Sequence, residues 1–129
     1  MTLGSALIFA KDIPRMIAFY RDGLGLRLLE ERSKDGWTEL DAGGVVLVLH
    51  GIPEHVAKHI EITSPPKARE NTAVKLIFLT PDVAAARGHL IAHGAVMFEP
   101  RAGGSCDGLD PEGNVFQIAQ GESPLAPSA

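Results

Sequence analysis

The sequence predicts an α+β fold built from two tandem βαβββ modules. Two observations carry this expectation: landmarks recur at a nearly constant offset, and each half reads in the same order of strand, helix and three strands. Asp12 and Asp82 open similar stretches 70 residues apart (82 − 12), whereas Gly25 and Gly94, Glu30 and Glu99, Asp41 and Asp110, and Gly44 and Gly113 all match at 69. One gap accounts for the change. A period of this size marks a supersecondary unit that buries its apolar face against a twin.

In the first half, residues 5–10 (SALIFA) form an apolar run of strand length. Asp12 then suits a helix N-cap, with Pro14 tolerated in the first turn. Ile13, Ile17, Tyr20 and Leu24 repeat at helical spacing until Gly23 and Gly25 stop the run. Residues 26–31, 36–42 and 45–50 read as three strands, separated by a Ser33-Lys34-Asp35-Gly36 turn and an Ala42-Gly43-Gly44 turn. The second half repeats the series: a strand over 74–80, a helix from Asp82 to His93, a stop at Gly94 and a strand over 95–99. A Gly-rich passage with strand character near 105–109, an Asp110-Pro111-Glu112-Gly113 turn and a strand over 114–120 complete it. The modules thus span about 5–50 and 74–120. The connector over 51–73, with Pro53, Pro65 and Pro66, suits a crossing segment with one helical turn, and 121–129 reads as a flexible tail.

Composition bounds the function. A chain of 129 residues with 45% hydrophobic and 22% charged content suits one globular domain over 1–120, whereas each module alone would be marginal. A net charge of −4 offers none of the clustered Lys and Arg that nucleic-acid binding requires. One cysteine, Cys106, excludes an intrachain disulfide and suits the reducing cytoplasm. It reads as a small buried hydrophobe rather than a nucleophile. No apolar run approaches membrane-spanning length and no secretory leader is apparent.

The stretch from Lys11 through Asp12-Ile13-Pro14 to Gly25-Leu26, and the later Asp110-Pro111-Glu112-Gly113-Asn114-Val115-Phe116-Gln117-Ile118, resemble the two signature segments of the vicinal oxygen chelate superfamily. This group includes glyoxalase I, extradiol dioxygenases and the bleomycin-resistance proteins, and the resemblance covers nearly all of residues 5–120. It implies paired modules whose mixed sheets curve into a cup, and a homodimer. Fold alone does not give function.

The resemblance also implies where a metal would sit in the family's metal-using members. Counting from the helix-starting aspartates and from the Asp41/Asp110 match, the four ligand positions fall on Ser5, Val48, Lys75 and Gln117. Only Gln117 offers an oxygen of the expected kind, where His, Gln or Glu would be needed. At an effective dielectric of 20, an ammonium 4 Å from a dication is repelled by about 8 kcal/mol. The expectation is therefore no metal and no other cofactor.

The period of two along a strand then fills the cup. Ser5 brings Leu7 and Phe9 inward, Val48 brings Val46 and His50, and Lys75 brings Ile77 and Leu79. With Leu40 turned to the helix, Trp37, Glu39 and Asp41 face the same interior. Apolar walls with sparse polar groups, here Glu39, His50, Lys75 and Gln117, suit a small-molecule site. Trp37 reads equally as core or as a stacking platform. Glu39 and Lys75 read first as a mutually neutralising pair at the sheet rim, and His50 first as a structural histidine. The three are weak catalytic candidates.

Other motifs carry less. His55 and His59 share a helical face but lack the glutamate of a zinc-protease motif. Arg101, Gly103 and Gly104 precede Ser105-Cys106-Asp107 without the strand-to-helix setting of a phosphate loop. Ser5, Ser105 and Cys106 show no partner for nucleophilic catalysis. Asp41 and Asp110 occupy turns where Asp accepts backbone hydrogen bonds.

Two function classes follow. The first is a metal-free protein that sequesters or senses a small ligand, with the negative net charge mildly favouring a cationic one. The alternative is a lyase, isomerase or dioxygenase of the glyoxalase type, for which a divalent metal would supply enediolate stabilisation. Without the metal, Lys75 would have to act as electrophile with Glu39 or His50 as base.

Overall fold

The computed structural model describes residues 1–69 and 71–122. The tail expected over 121–129 therefore lies, from residue 123 on, outside the described residues. The chain divides into two compact units, one ending at Thr63 and the other beginning at Ser64. Each holds a four-stranded mixed sheet with a helix packed on its central parallel strand.

Unit 1 contains β1 (Ser5–Ala10), α1 (Ile13–Ala18), β2 (Arg27–Leu28), β3 (Trp37–Asp41), β4 (Val46–Gly51) and the short α2 (Glu54–Ala57). The strands lie in the order β1-β4-β3-β2, with β1 parallel to β4 and the other pairs antiparallel. Asp12 starts α1 by accepting the Arg15 N–H at 3.1 Å, which satisfies one of the donors that a helix start leaves unpaired. The helix is shorter than its apolar spacing suggests: it passes after Ala18 into a π-helical turn, Phe19–Gly23. Met16, Phe19 and Tyr20 are buried, as are Leu40, Leu47 and Leu49 on alternate positions of β3 and β4. Each side chain of this size contributes about 1.5–3 kcal/mol when buried.

One predicted strand is largely replaced. Over 26–31 the ladder to β3 holds Arg27 and Leu28 and ends at Leu29, whose N–H still donates to the Glu39 carbonyl at 2.9 Å, and the chain then coils into a 3₁₀ turn, Glu30–Arg32. Ser33 accounts for the departure. Its hydroxyl donates to the Leu29 carbonyl at 2.8 Å and accepts the Glu39 N–H at 3.0 Å, so a side chain occupies groups that a longer ladder would use.

Unit 2 contains β5 (Leu76–Thr80), α3 (Val83–Ala92), β6 (Val96–Met97), β7 (Cys106–Leu109) and β8 (Val115–Gln120). Its strand order, β5-β8-β7-β6, repeats that of unit 1. Asp82 caps α3 by accepting the Ala85 N–H at 3.0 Å. Leu90, Met97, Cys106, Phe116 and Ile118 form its buried core. β5 begins at Leu76 rather than 74, so Lys75 just precedes the strand, and the strand expected over 95–99 narrows to Val96–Met97.

Between β7 and β8 the fully buried Asp110 accepts the N–H groups of Glu112 and Asn114 at 2.9 and 3.0 Å, and the Asn114 side-chain amide at 2.8 Å. The connector lies against this turn. Arg69 donates its N–H to the Gly113 carbonyl, and its guanidinium reaches the buried Glu112 carboxylate at 3.4 Å. Gly113, at φ +85°, sits so close that a Cβ there would lie 2.0 Å from the Lys67 carbonyl oxygen. Among the described residues no helix is long and apolar enough to cross a membrane.

Candidate functional site

In each unit the alternation along the strands gives the sheet one face covered by its helix and one face turned away from it. On the far face of unit 1, Leu7 is level with Val48 and Phe9 with His50 across the parallel pair, while Glu39 is level with Val48 and Trp37 with His50 across the antiparallel pair. Ser5 opens the same row set opposite Val46. All seven residues named from the sequence in this unit thus share one face. Phe9 is 56% and Leu7 40% exposed, whereas Val48 is 2% exposed.

Three rings gather at one end of this face. His50 stands 5.6 Å from Phe9 and 5.3 Å from Trp37, centroid to centroid. The Trp37 indole N–H donates to Glu39 Oε2 at 3.0 Å, and Arg32 Nη2 lies 2.9 Å from Glu39 Oε1. Within unit 1, Glu39 thus has a cation beside it that the sequence reading does not name. Its cation is Arg32, delivered by the 3₁₀ turn that replaced the expected strand.

Unit 2 repeats the plan with different chemistry. Asp107 is level with Gln117, and Gln117 with Ile77. Phe98 donates its N–H to the Asp107 carbonyl at 2.9 Å and extends the row past β6. Lys75 lies at the head of β5 with Nζ 3.3 and 3.4 Å from the two Asp107 carboxylate oxygens. Arg101 grips the same carboxylate bidentately, Nη1 to Oδ1 at 2.8 Å and Nη2 to Oδ2 at 2.5 Å. The fork geometry of Arg makes this a pair of parallel charge-assisted hydrogen bonds. The Arg101 hydrogen bond is the main cause that holds the Asp107 carboxyl below its ordinary value, with Lys75 adding to it and partial burial opposing. The Gln117 side-chain amide bonds to no other described residue.

Arg101 and Asp107 are the site residues that sequence reasoning missed. In sequence Arg101 reads with its glycines as an anion loop, and in the structure it closes a turn in which Gly104 N–H donates to the Arg101 carbonyl. Asp107 sits among Gly, Ser and Cys residues, which conceal the period of two. The offset of 69 was the available signal, since it aligns Arg101 with Arg32 (101 − 32).

The remaining candidates are placed as follows. Cys106 is fully buried and its thiol donates to the Phe98 carbonyl at 3.1 Å. Ser105 accepts from Arg101 at 3.5 Å. His55 lies in α2 but His59 lies beyond its end, and both are exposed. Asp41 accepts the Gly43 N–H, which together with Arg27 lowers its carboxyl pKa against partial desolvation. A cavity of about 530 Å³ opens at the start of α3, lined by Pro81, Val83, Ala84, Pro100, Ser105 and Gln120 among others, and none of the residues named as ligand-binding from the sequence lines it.

The donor set at the four counted metal positions does not fit a divalent ion. Ser5 is an exposed hydroxyl, Val48 is hydrocarbon, and Lys75 is a cation held by Asp107. Among the described residues no three His, Cys, Asp or Glu side chains come together as a metal site would need.

A family model described as glyoxalase-like domain matches residues 5–119. Solved structures resemble the chain over nearly its full length. A glyoxalase/bleomycin resistance protein/dioxygenase family enzyme from Burkholderia phytofirmans PsJN is 24% identical, with a TM-score of 0.71 over 93% of this chain and 98% of that one. A protein of unknown function from Agrobacterium tumefaciens str. C58 is 26% identical, with a TM-score of 0.66 over 95% of each chain. The genomically encoded fosfomycin resistance protein FosX from Listeria monocytogenes is 16% identical, with a TM-score of 0.71 over 94% and 91%. Comparison with curated proteins finds no match.

Proposed function

Because the chain belongs to the glyoxalase-like domain family, within the vicinal oxygen chelate superfamily, we propose that it is a metal-free small-molecule-binding protein of that type, sequestering or sensing a small ligand on the far faces of its sheets. One observation carries the reading: where the family's metal-using members need a ligand, Lys75 is present, held at 3.3 Å by an Asp107 carboxylate that it shares with Arg101. Each far face also exposes hydrocarbon: Leu7 and Phe9 are 40% and 56% exposed in unit 1, and Ile77 and Leu79 are 56% and 39% exposed in unit 2. Apolar exposure within one sheet face, set with few polar groups, is a common signature of a binding surface.

The enzymatic alternative asks Glu39, His50 or Lys75 to move a proton. Glu39 already accepts from Trp37 and pairs with Arg32, and Lys75 is paired with Asp107, so two of the three are committed elsewhere. This favours binding over catalysis. Homodimerisation belongs to the same proposal, since the exposed apolar residues also suit a second copy.

The test is elemental analysis of protein prepared without a histidine tag and exposed to zinc, nickel, manganese and iron. We expect no stoichiometric metal, and a thermal-shift screen that finds small-molecule ligands unaffected by chelator. About one tightly held ion per chain would overturn the reading and bring lyase or dioxygenase chemistry forward.

A further inference from the structure

The two far faces differ in charge in a way that their common plan isolates. In unit 1 the Glu39 carboxylate meets one cation, Arg32, and the position equivalent to Lys75 is Ser5 (75 − 5 = 70). In unit 2 the Asp107 carboxylate meets two, Arg101 and Lys75. The second cluster therefore keeps one positive charge in excess. It also keeps donors in excess: a guanidinium has five N–H groups and an ammonium three, and a single carboxylate cannot take them all. Both cations are reachable, with side chains 50% and 36% exposed. Beside them Gln117 offers an amide, level with Asp107 across the strand pair.

The same row supplies apolar surface. Phe98 lies opposite Asp107 at one end and Ile77 opposite Gln117 at the other, 45% and 56% exposed. A surplus cation between two exposed hydrocarbon surfaces matches a ligand with an anionic head and an apolar body. We propose that the far face of unit 2 binds a small organic carboxylate, its head on Lys75 and Arg101 and its body against Ile77 and Phe98. Asp107 fixes the two cations in place and caps the affinity by opposing the ligand's charge. This rests on the binding-protein reading above, and it replaces the cationic ligand that net charge alone suggested for this face.

The probe is benzoate, titrated into the full chain and followed by amide NMR, with benzamide and inorganic phosphate as controls. We expect benzoate to shift residues 75, 77, 98, 107 and 117, and to bind more tightly than either control. Lys75→Gln should weaken benzoate roughly tenfold and Asp107→Asn should strengthen it roughly tenfold, as a unit charge a few ångströms from the head would do between the bulk-water and protein-surface limits. The opposite signs separate a charge effect from simple damage to the fold. Phosphate binding as tightly as benzoate would overturn the apolar half of the proposal. Equal benzoate affinity in all three proteins, no binding at millimolar benzoate, or shifts confined to the surroundings of Trp37 and His50 would overturn the site. Those three results leave the binding-protein reading standing, which falls only to stoichiometric metal.

Discussion

Arg101 stands to Asp107 as Arg32 stands to Glu39: each guanidinium comes from a turn ahead of the third strand of its unit and closes on a carboxylate of that strand's far face. The pairs differ in what else touches the carboxylate, an indole N–H in one and an ammonium in the other.

That difference has a pH signature. The Asp107 carboxyl is held below its ordinary value by Arg101 first and Lys75 second. A group with a depressed folded pKa lends stability above its unfolded value, near ~3.9, which is lost as pH falls through the folded one. Urea midpoints of the wild type should therefore fall faster than those of Asp107→Asn as pH drops below about 4. Parallel profiles would show that the ion pairs add nothing to stability.

Asp110 is fully buried and accepts three hydrogen bonds within its own turn. Asp110→Ala leaves buried N–H groups without an acceptor, so we expect a loss of about 3 kcal/mol in urea unfolding, with Asp110→Asn losing less.

Two glycines admit no side chain, for unequal reasons. A Cβ on Gly108 would meet the Met97 sulfur at 2.3 Å, the far end of a flexible chain, whereas one on Gly113 would meet the Lys67 backbone oxygen at 2.0 Å and also requires φ +85°. Gly113→Ala should lower the melting temperature more than Gly108→Ala. Met97→Ala should restore part of the loss in Gly108→Ala and nothing in Gly113→Ala.

The helix starts are independent of the sites. Asp12→Ala and Asp82→Ala should each cost about 1 kcal/mol, read by chemical denaturation, because each removes the acceptor for one N–H of the first turn. Benzoate affinity should not change.

What was legible in the sequence was whatever repeats locally. The two aspartate caps, the order of elements and the shared far face of Phe9, Trp37, Glu39, Val48 and His50 all follow from periods of 2 and 3.6 and from the duplicated spacing. The partners of the charged groups did not follow. Arg32 reaches Glu39 because Ser33 ends a ladder early, and Arg101 reaches Asp107 through a turn closed at Gly104. Such contacts depend on where a loop carries its side chains, which no period encodes. Glu39 and Lys75 are legible as opposite charges on inward positions, whereas the arginine beside the one and the aspartate beside the other are not.

The strand that ends each unit lies second in its sheet, between the first strand and the third. For a chain emerging from the ribosome, this means that β1 and β3 have no neighbour to join them until β4 is out, and that β5 and β7 wait in the same way for β8. Unit 1 can close its sheet while unit 2 is still being translated. A premature stop before Val115 would leave β5 and the β6–β7 hairpin without the strand that unites them, and their unpaired edges would mark the fragment for chaperones and proteases.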